Sequence, residues 1–230
     1  MADAPSIDWF PLWLSLRVAA IATGLVLTIG TLLAYMLSHK RFRGKNLLDA
    51  LITLPLVLPP TVLGYYLLVL LGRASPLGRV YESIIGHPLV FTWQAAVVAA
   101  TIHSAPIYIK AARAVLEGVD YRYEWAARSL GASEWRTFWH VTVPLARKGL
   151  ASLGTLSFAR SLGDFGVTMM VAGNIPGRTQ TLSVAIYDAV ESGNGRLARI
   201  LVVVVSALAF ALLWPASYSL GIQRTGEVRQ

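Results

Sequence analysis

The 230-residue sequence predicts an all-α fold: a polytopic helical membrane protein with about five transmembrane helices and one cytoplasmic helical loop. Three observations predict it. Hydrophobic residues make up 55% of the chain and charged residues only 14%, against a usual charged share of about 25%; the mean hydropathy is +0.58. No Asp, Glu, Lys or Arg occurs in 18–38, 50–71, 88–109 or 200–222, each close to the roughly 20 residues that cross a hydrocarbon core. A fifth apolar stretch, 149–172, is interrupted only by Arg160 and Asp164. Little chain remains for a water-soluble unit, so 1–230 reads as one membrane domain.

The first span covers about 12–37, with Trp9 and Trp13 at an interface and Arg17 close enough to snorkel outward. No basic residue precedes Arg17, whereas a cleaved signal peptide starts with a basic region, so this run is expected to be retained. The second span, about 47–71, contains LPLVLPPTVLGYY. Pro55, Pro59 and Pro60 remove backbone donors and disfavour helix at the preceding residues. In lipid such a break survives only where neighbouring helices or a water-filled cavity satisfy the freed carbonyls. It is either a kinked packing helix or a broken segment lining a passage, which makes Pro59, Pro60 and Thr61 candidates for a translocation pathway.

A short loop, 72–87, leads to a third span at about 88–110, where His103 is expected to be a satisfied packing residue. The fourth span, 149–172, carries Arg160 and Asp164 at i, i+4 spacing on one helix face. Two readings stand: a mutually neutralising structural pair facing other helices, or a pair flanking the route of an anion, Arg160 attracting it and Asp164 holding Arg160 in place. A loop with a short helix near 182–190 precedes the fifth span, about 197–221.

The net charge of +8 is a topology signal rather than a nucleic-acid signal. Four basic residues lie in 39–45, seven in 110–148 and two in the tail at Arg224 and Arg229; the opposite side carries five, Arg73, Arg79, Arg178, Arg196 and Arg199. By the positive-inside rule the loops 39–45 and 113–148 and the C-terminus are cytoplasmic and the N-terminus is outside. The absence of cysteine excludes disulfides and thiolate chemistry. There is no HExxH, no GxSxG and no GxxxxGK[ST], so the chain carries no hydrolytic constellation and no P-loop. Any energy for uphill transport has to enter through contact with another protein.

The polar segment 113–148 is where such contact fits. Residues 117–130 read as a helix ended by Gly131, and Ser133 as the cap of a second helix over 134–140. Pro144 marks the return towards the fourth span. Small residues at Ala126, Ala127, Gly131 and Ala132 permit close backbone approach, and Trp125, Trp135, Phe138 and Trp139 have the character of interface anchors.

The segment resembles the EAA loop of ABC importer permeases, in which EAA, three residues, Gly, nine residues and I-x-L-P recur. Ala126, Ala127 and Gly131 match in register, Val141 and Val143 stand for Ile and Leu, and Pro144 falls in its place; Trp125 occupies the position of the Glu, with Glu124 one residue earlier. LPLVLPPTVLGYYLL (54–68) and LGDFGVTMMVAGNIPGRTQTLSVAIY (162–187) are similar to the permease subunit of molybdate ABC transporters, and the GNIPG-type loop is shared with sulfate permeases. The resemblance spans about 12–220 and implies import of molybdate or tungstate by alternating access, in a bacterial or archaeal cytoplasmic membrane. Sulfate or thiosulfate import is the alternative, and a stand-alone channel a more distant one. It implies a homodimer, two ATP-binding subunits holding the ATP and Mg2+, and an extracytoplasmic oxyanion-binding protein; this chain itself would hold no cofactor or metal. It further implies that Glu124, Trp125, Ala126, Ala127, Leu130, Gly131, Ala132, Ser133 and Pro144 couple to the ATPase. Asn174, in the GNIPG loop, joins the pathway candidates.

Overall fold

A computed structural model describes residues 8–40 and 42–226, with side chains to Trp214. Arg41 and Arg229, used above to assign topology, lie outside the described residues, as does the side chain of Arg224. The described residues form helices and no strand.

Helix α1 (Phe10–Leu25), a π-helical turn (Val26–Gly30) and α2 (Thr31–His39) run as one 30-residue apolar helix. The π-turn has a local cause: Thr28 Oγ1 donates to the carbonyls of Gly24 and Leu25, competing with the backbone ladder. Just beyond, Gly30 lets the Tyr108 ring approach, and a Cβ there would lie 2.8 Å from its Cδ1. Thr31 Oγ1 and the Tyr108 hydroxyl then share a buried 2.7 Å hydrogen bond.

Residues 47–71, expected as one span, instead form α3 (Lys45–Val57) and α4 (Pro60–Leu71), bent by 118° at an extended Leu58–Pro59. Proline disfavours helix at the residue before it, and two in succession favour the extended Leu58 and Pro59 seen here. The loop 72–87 contains a helix the sequence reading did not anticipate, α5 (Pro76–Ile85). Ser75 Oγ accepts from Gly78 N at 2.8 Å, Pro76 supplies a preformed first turn, and Gly86 ends it at φ 86°.

Helix α6 (Trp93–Glu117) starts later than expected and extends seven residues past Lys110. Thr92 caps it, accepting from Ala95 N. Ala95, Ala96, Ala99, Ala100 and Ala112 are fully buried, and these small faces let α1, α2, α9 and α10 close around α6. Arg17 does not simply snorkel: its guanidinium sits 3.9 Å from the centroid of the Trp93 ring at the start of α6.

Helix α7 (Tyr121–Ser129) is followed by α8 (Glu134–Thr137), a π-helical turn (Phe138–Thr142) and α9 (Val143–Leu162). The last three are one continuous helix, so Pro144 does not mark a return from a loop. It lacks the N–H that would bond His140 and so displaces the preceding turn into π geometry. The stretch 149–172 is broken at 163–165, where α9 ends and α10 (Gly166–Ala172) begins. Helix α11 (Leu182–Glu191) agrees with the short helix expected near 182–190, and α12 (Gly195–Gly226) completes the chain. Three helical runs are long and apolar enough to cross a membrane, α1–α2, α6 and 195–214, with the bent α3–α4 pair as a fourth. Helix α9, carrying Arg147, Lys148 and Arg160, is not among them.

Candidate functional site

The polar segment folds as a helix–turn–helix against the ends of the long helices. Asp120 caps α7 through Arg122 N, and Leu130 closes it. Gly131 then takes φ 85°, its N–H donates to the Arg128 carbonyl at 3.0 Å, and Ala132 N donates to the Ala127 carbonyl at 3.0 Å. These two bonds make a Schellman termination, and the left-handed residue explains why glycine stands there. Ser133 Oγ accepts from Arg136 N at 3.3 Å, as the sequence predicts, although the helix over 134–140 is α-helical only to Thr137.

Glu124 is 4% exposed and turned inward. Its Oε1 accepts from Thr142 Oγ1 at 2.7 Å and lies 3.2 Å from His39 Nε2; its Oε2 accepts from Arg128 at 3.1 Å. One carboxylate thus ties α7 to the C-terminal end of α2 and to the π-turn before α9. The neighbouring Trp125 is 68% exposed. A one-residue step along a helix turns the side chain by roughly 100°, so Glu and Trp at 124 and 125 cannot share a direction. The i, i+4 link to Arg128 was legible in the sequence; His39 and Thr142 were not, because they are 85 and 18 residues away.

Around this anchor the segment exposes Trp125, Leu130, Trp135 and Trp139, with Leu130 89% exposed. Ala126, Gly131, Ser133 and Pro144 are also exposed, and Ala127 and Ala132 are half-buried. A surface groove of about 440 Å3 lies between α7 and the next helix, walled by Ala127, Leu130, Ala132, His140 and Val141. Phe138 does not belong to this surface. It is fully buried, with its ring 4.4 Å from that of Tyr35.

Among the pathway candidates, Pro59, Pro60 and Thr61 lie exposed at the α3–α4 break. The break faces the second discontinuity, at 163–165: a Cβ on Gly166 would fall 2.7 Å from Pro60 Cβ, and one on Gly64 2.6 Å from Met170 Cβ. Glycines therefore bring two interrupted helices into backbone-close contact.

Arg160 and Asp164 do not pair. Asp164 is 5% exposed and its Oδ2 accepts from both the backbone N and the hydroxyl of Thr168, capping α10. The break at Gly163 carries Asp164 off the face it would share with Arg160 in a continuous helix. Arg160 is half-buried, and its Nε is enclosed without a partner. His103 was expected to be satisfied, yet its Nδ1 is buried with no partner among the described residues. Asn174 is engaged, donating to Asp188 Oδ1 on α11 at 2.9 Å and accepting from Gln180 at 2.9 Å. No group of three or more His, Asp or Glu side chains suited to a metal occurs among the described residues.

Residues 26–224 match the family described as binding-protein-dependent transport system inner membrane component. The chain is 41% identical over 208 residues to the Molybdenum transport system permease protein ModB of Escherichia coli (strain K12), covering 90% of this chain and 91% of that one. It is 35% identical over 201 residues to Sulfate permease 2, chloroplastic, of Chlamydomonas reinhardtii, covering 87% of this chain and 54% of the relative. In fold it is similar to a chain of the MetNI methionine ABC transporter in an inward-facing conformation, with a TM-score of 0.71 at 19% identity over 94% of this chain and 96% of that one. The family model spans most of the length and the relatives cover nearly all of the chain: this chain is a member of the family of inner membrane components of binding-protein-dependent transport systems.

Proposed function

We propose that this chain is the membrane-spanning permease subunit of an ATP-driven importer of molybdate or tungstate. The observation that carries the reading is the α7–α8 surface. Its one acidic residue buried in the loop, Glu124, fastens the loop to the membrane helices, while Trp125, Leu130 and the Ala127–Ala132 groove are left exposed for another protein. The ModB relative supports the substrate class, and its higher identity favours molybdate over the sulfate or thiosulfate alternative. The sequence has no GxxxxGK[ST], which supports placing ATP and Mg2+ in partner subunits.

In this reading two copies form the pathway, two ATPase subunits dock on the two α7–α8 surfaces, and an extracytoplasmic binding protein delivers the anion. The N-terminus is outside and the C-terminus cytoplasmic, following the basic excess in 39–45 and 110–148. A bare dianion cannot enter hydrocarbon, since desolvating a charge costs several kcal/mol or more. The dimer therefore presents a polar cavity to one side at a time. ATP-driven closure of the partner subunits draws the two loops together and biases the helices towards the outward-open state. The breaks at 58–59 and 163–165 are places where such a bias changes backbone direction without breaking a continuous helix.

The test is uptake of labelled molybdate by the permease reconstituted in liposomes with its ATPase and binding protein, with sulfate, thiosulfate and tungstate as competitors. ATP-dependent uptake insensitive to sulfate is expected. ATP-dependent uptake of labelled sulfate with no uptake of molybdate would reassign the substrate, and permeation without ATP would favour a channel.

A further inference from the structure

The first helical run and α9 lie side by side and leave an open groove of about 270 Å3 between them, close to the lower end of ordinary ligand pockets at about 300 Å3. Both π-helical turns meet there: Leu27 and Thr28 come from one, Phe138 and Trp139 from the other, and such turns recur at functional sites. Trp139 walls this groove, whereas the Ala127–Ala132 groove is built without it. Leu27, Leu32, Val143, Leu150 and Ala151 make the lining apolar. Its hydroxyls are already committed: Thr31 and Tyr108 bond each other at 2.7 Å, and Thr28 donates to the Gly24 and Leu25 carbonyls. One charge remains. Arg147 lines the groove, is exposed, and takes part in no ion pair among the described residues.

The dimensions and the charge point to one kind of occupant. From Trp139 to Ala151 the wall rises through roughly 18 Å at 1.5 Å per residue, about one leaflet of a hydrocarbon core about 30 Å thick together with its interface. Trp139 stands at the end of the groove where the Phe138 ring meets Tyr35, one turn before the basic loop 39–45. Tryptophan at that level marks a headgroup boundary, and basic loops there attract anionic lipid. Arg147 can lay its stem along the groove and reach the same boundary with its guanidinium. A second copy seated on this face would bring no uncommitted carboxylate from its membrane helices: Asp49 is taken by Lys110 and Arg113, Glu117 by Arg113, and Asp164 by Thr168. We infer that the groove between the first helical run and α9 binds an anionic phospholipid, one acyl chain lying on Leu27, Leu32, Leu150 and Ala151 and the phosphate held by Arg147. A guanidinium suits a phosphate because its planar fork meets two oxygens at once. The inference requires the helices to be embedded in a bilayer and does not depend on which anion the chain carries.

The experiment uses the full transporter in lipid nanodiscs with phosphatidylglycerol or phosphatidylcholine bearing the same nitroxide on an acyl chain, each diluted into unlabelled phosphatidylcholine. The Trp139 contribution to fluorescence quenching is the difference between wild type and Trp139→Phe. Phosphatidylglycerol is expected to half-quench it at about a fivefold lower mole fraction than phosphatidylcholine, and Arg147→Gln to bring the two lipids within about twofold of each other. Equal quenching by the two lipids in the wild type, no quenching by either, or a preference that survives Arg147→Gln would overturn the inference. Should Trp139→Phe fail to assemble, native mass spectrometry of the wild type and Arg147→Gln decides: the wild type should retain more phosphatidylglycerol per chain, and equal retention would overturn the site. The chain has no cysteine, so Ala151→Cys tests the other occupant. High-yield disulfide cross-linking of two copies at that position in native membranes would show that the groove is covered by protein and would equally overturn the lipid.

Discussion

Replacing Glu124 with alanine removes the carboxylate on which three elements converge, and its cost follows from the exposure of each partner. The Thr142 hydroxyl is fully buried and donates at 2.7 Å to a charged acceptor, a bond worth about 1.5–3 kcal/mol. The His39 side chain is 23% exposed at 3.2 Å and the Arg128 side chain 38% exposed, so solvent screening holds them to about 0.5–1 kcal/mol together. The loss is about 3 kcal/mol, which corresponds to roughly a hundredfold in a local opening equilibrium. Hydrogen exchange of the α7 amides, 121–129, in a lipid nanodisc reads it directly: protection should fall by that factor while the amides of α6 are unchanged. Glu124→Gln keeps an acceptor for Thr142 and loses only the charge, so its protection should fall roughly fivefold, equivalent to about 1 kcal/mol. Exchange in 121–129 that stays within about twofold of wild type in Glu124→Ala would refute the assignment of this carboxylate as the fastening of the loop.

Gly131 sits at φ 85° with nothing within 4 Å of an added Cβ, so Gly131→Ala should cost only about 1 kcal/mol through the left-handed backbone. Gly131→Trp adds bulk on the proposed docking side; it should insert normally and uncouple ATP hydrolysis from uptake, checked by comparing both rates in liposomes. Gly64→Val drives a side chain into Met170 and should separate α4 from α10, seen as a lower melting temperature and a loss of transport. The chain has no cysteine, so Ser133→Cys gives a background-free label at an exposed position. A membrane-impermeant maleimide should reach it only after the cytoplasmic side is opened, and labelling of intact cells would invert the topology.

The helical class, the positions of the apolar runs and the identity of the polar segment follow from local chemistry alone. A charge-free run long enough to cross a membrane, a glycine where a helix must end left-handed and a serine where one must be capped are readable because the groups that decide them lie within a few residues. Gly131 and Ser133 behave in the structure as their neighbours dictate. Two of the failures of local reasoning are instructive for the same reason. Arg160 and Asp164 have the spacing of an ion pair, but the chain breaks at Gly163 and Asp164 turns to cap the next helix through Thr168. Phe138 has the composition of an anchor, but the ring of Tyr35, over a hundred positions away, takes it into the core. The direction of Glu124 belongs to the same class: its partners His39 and Thr142 are assembled only when α2, α7 and the π-turn pack together. Local sequence determined that the chain is helical, where its apolar runs lie and how α7 ends at Gly131; tertiary packing decided which side chains face inward, because burial and long-range hydrogen bonds depend on neighbours that no window of sequence contains.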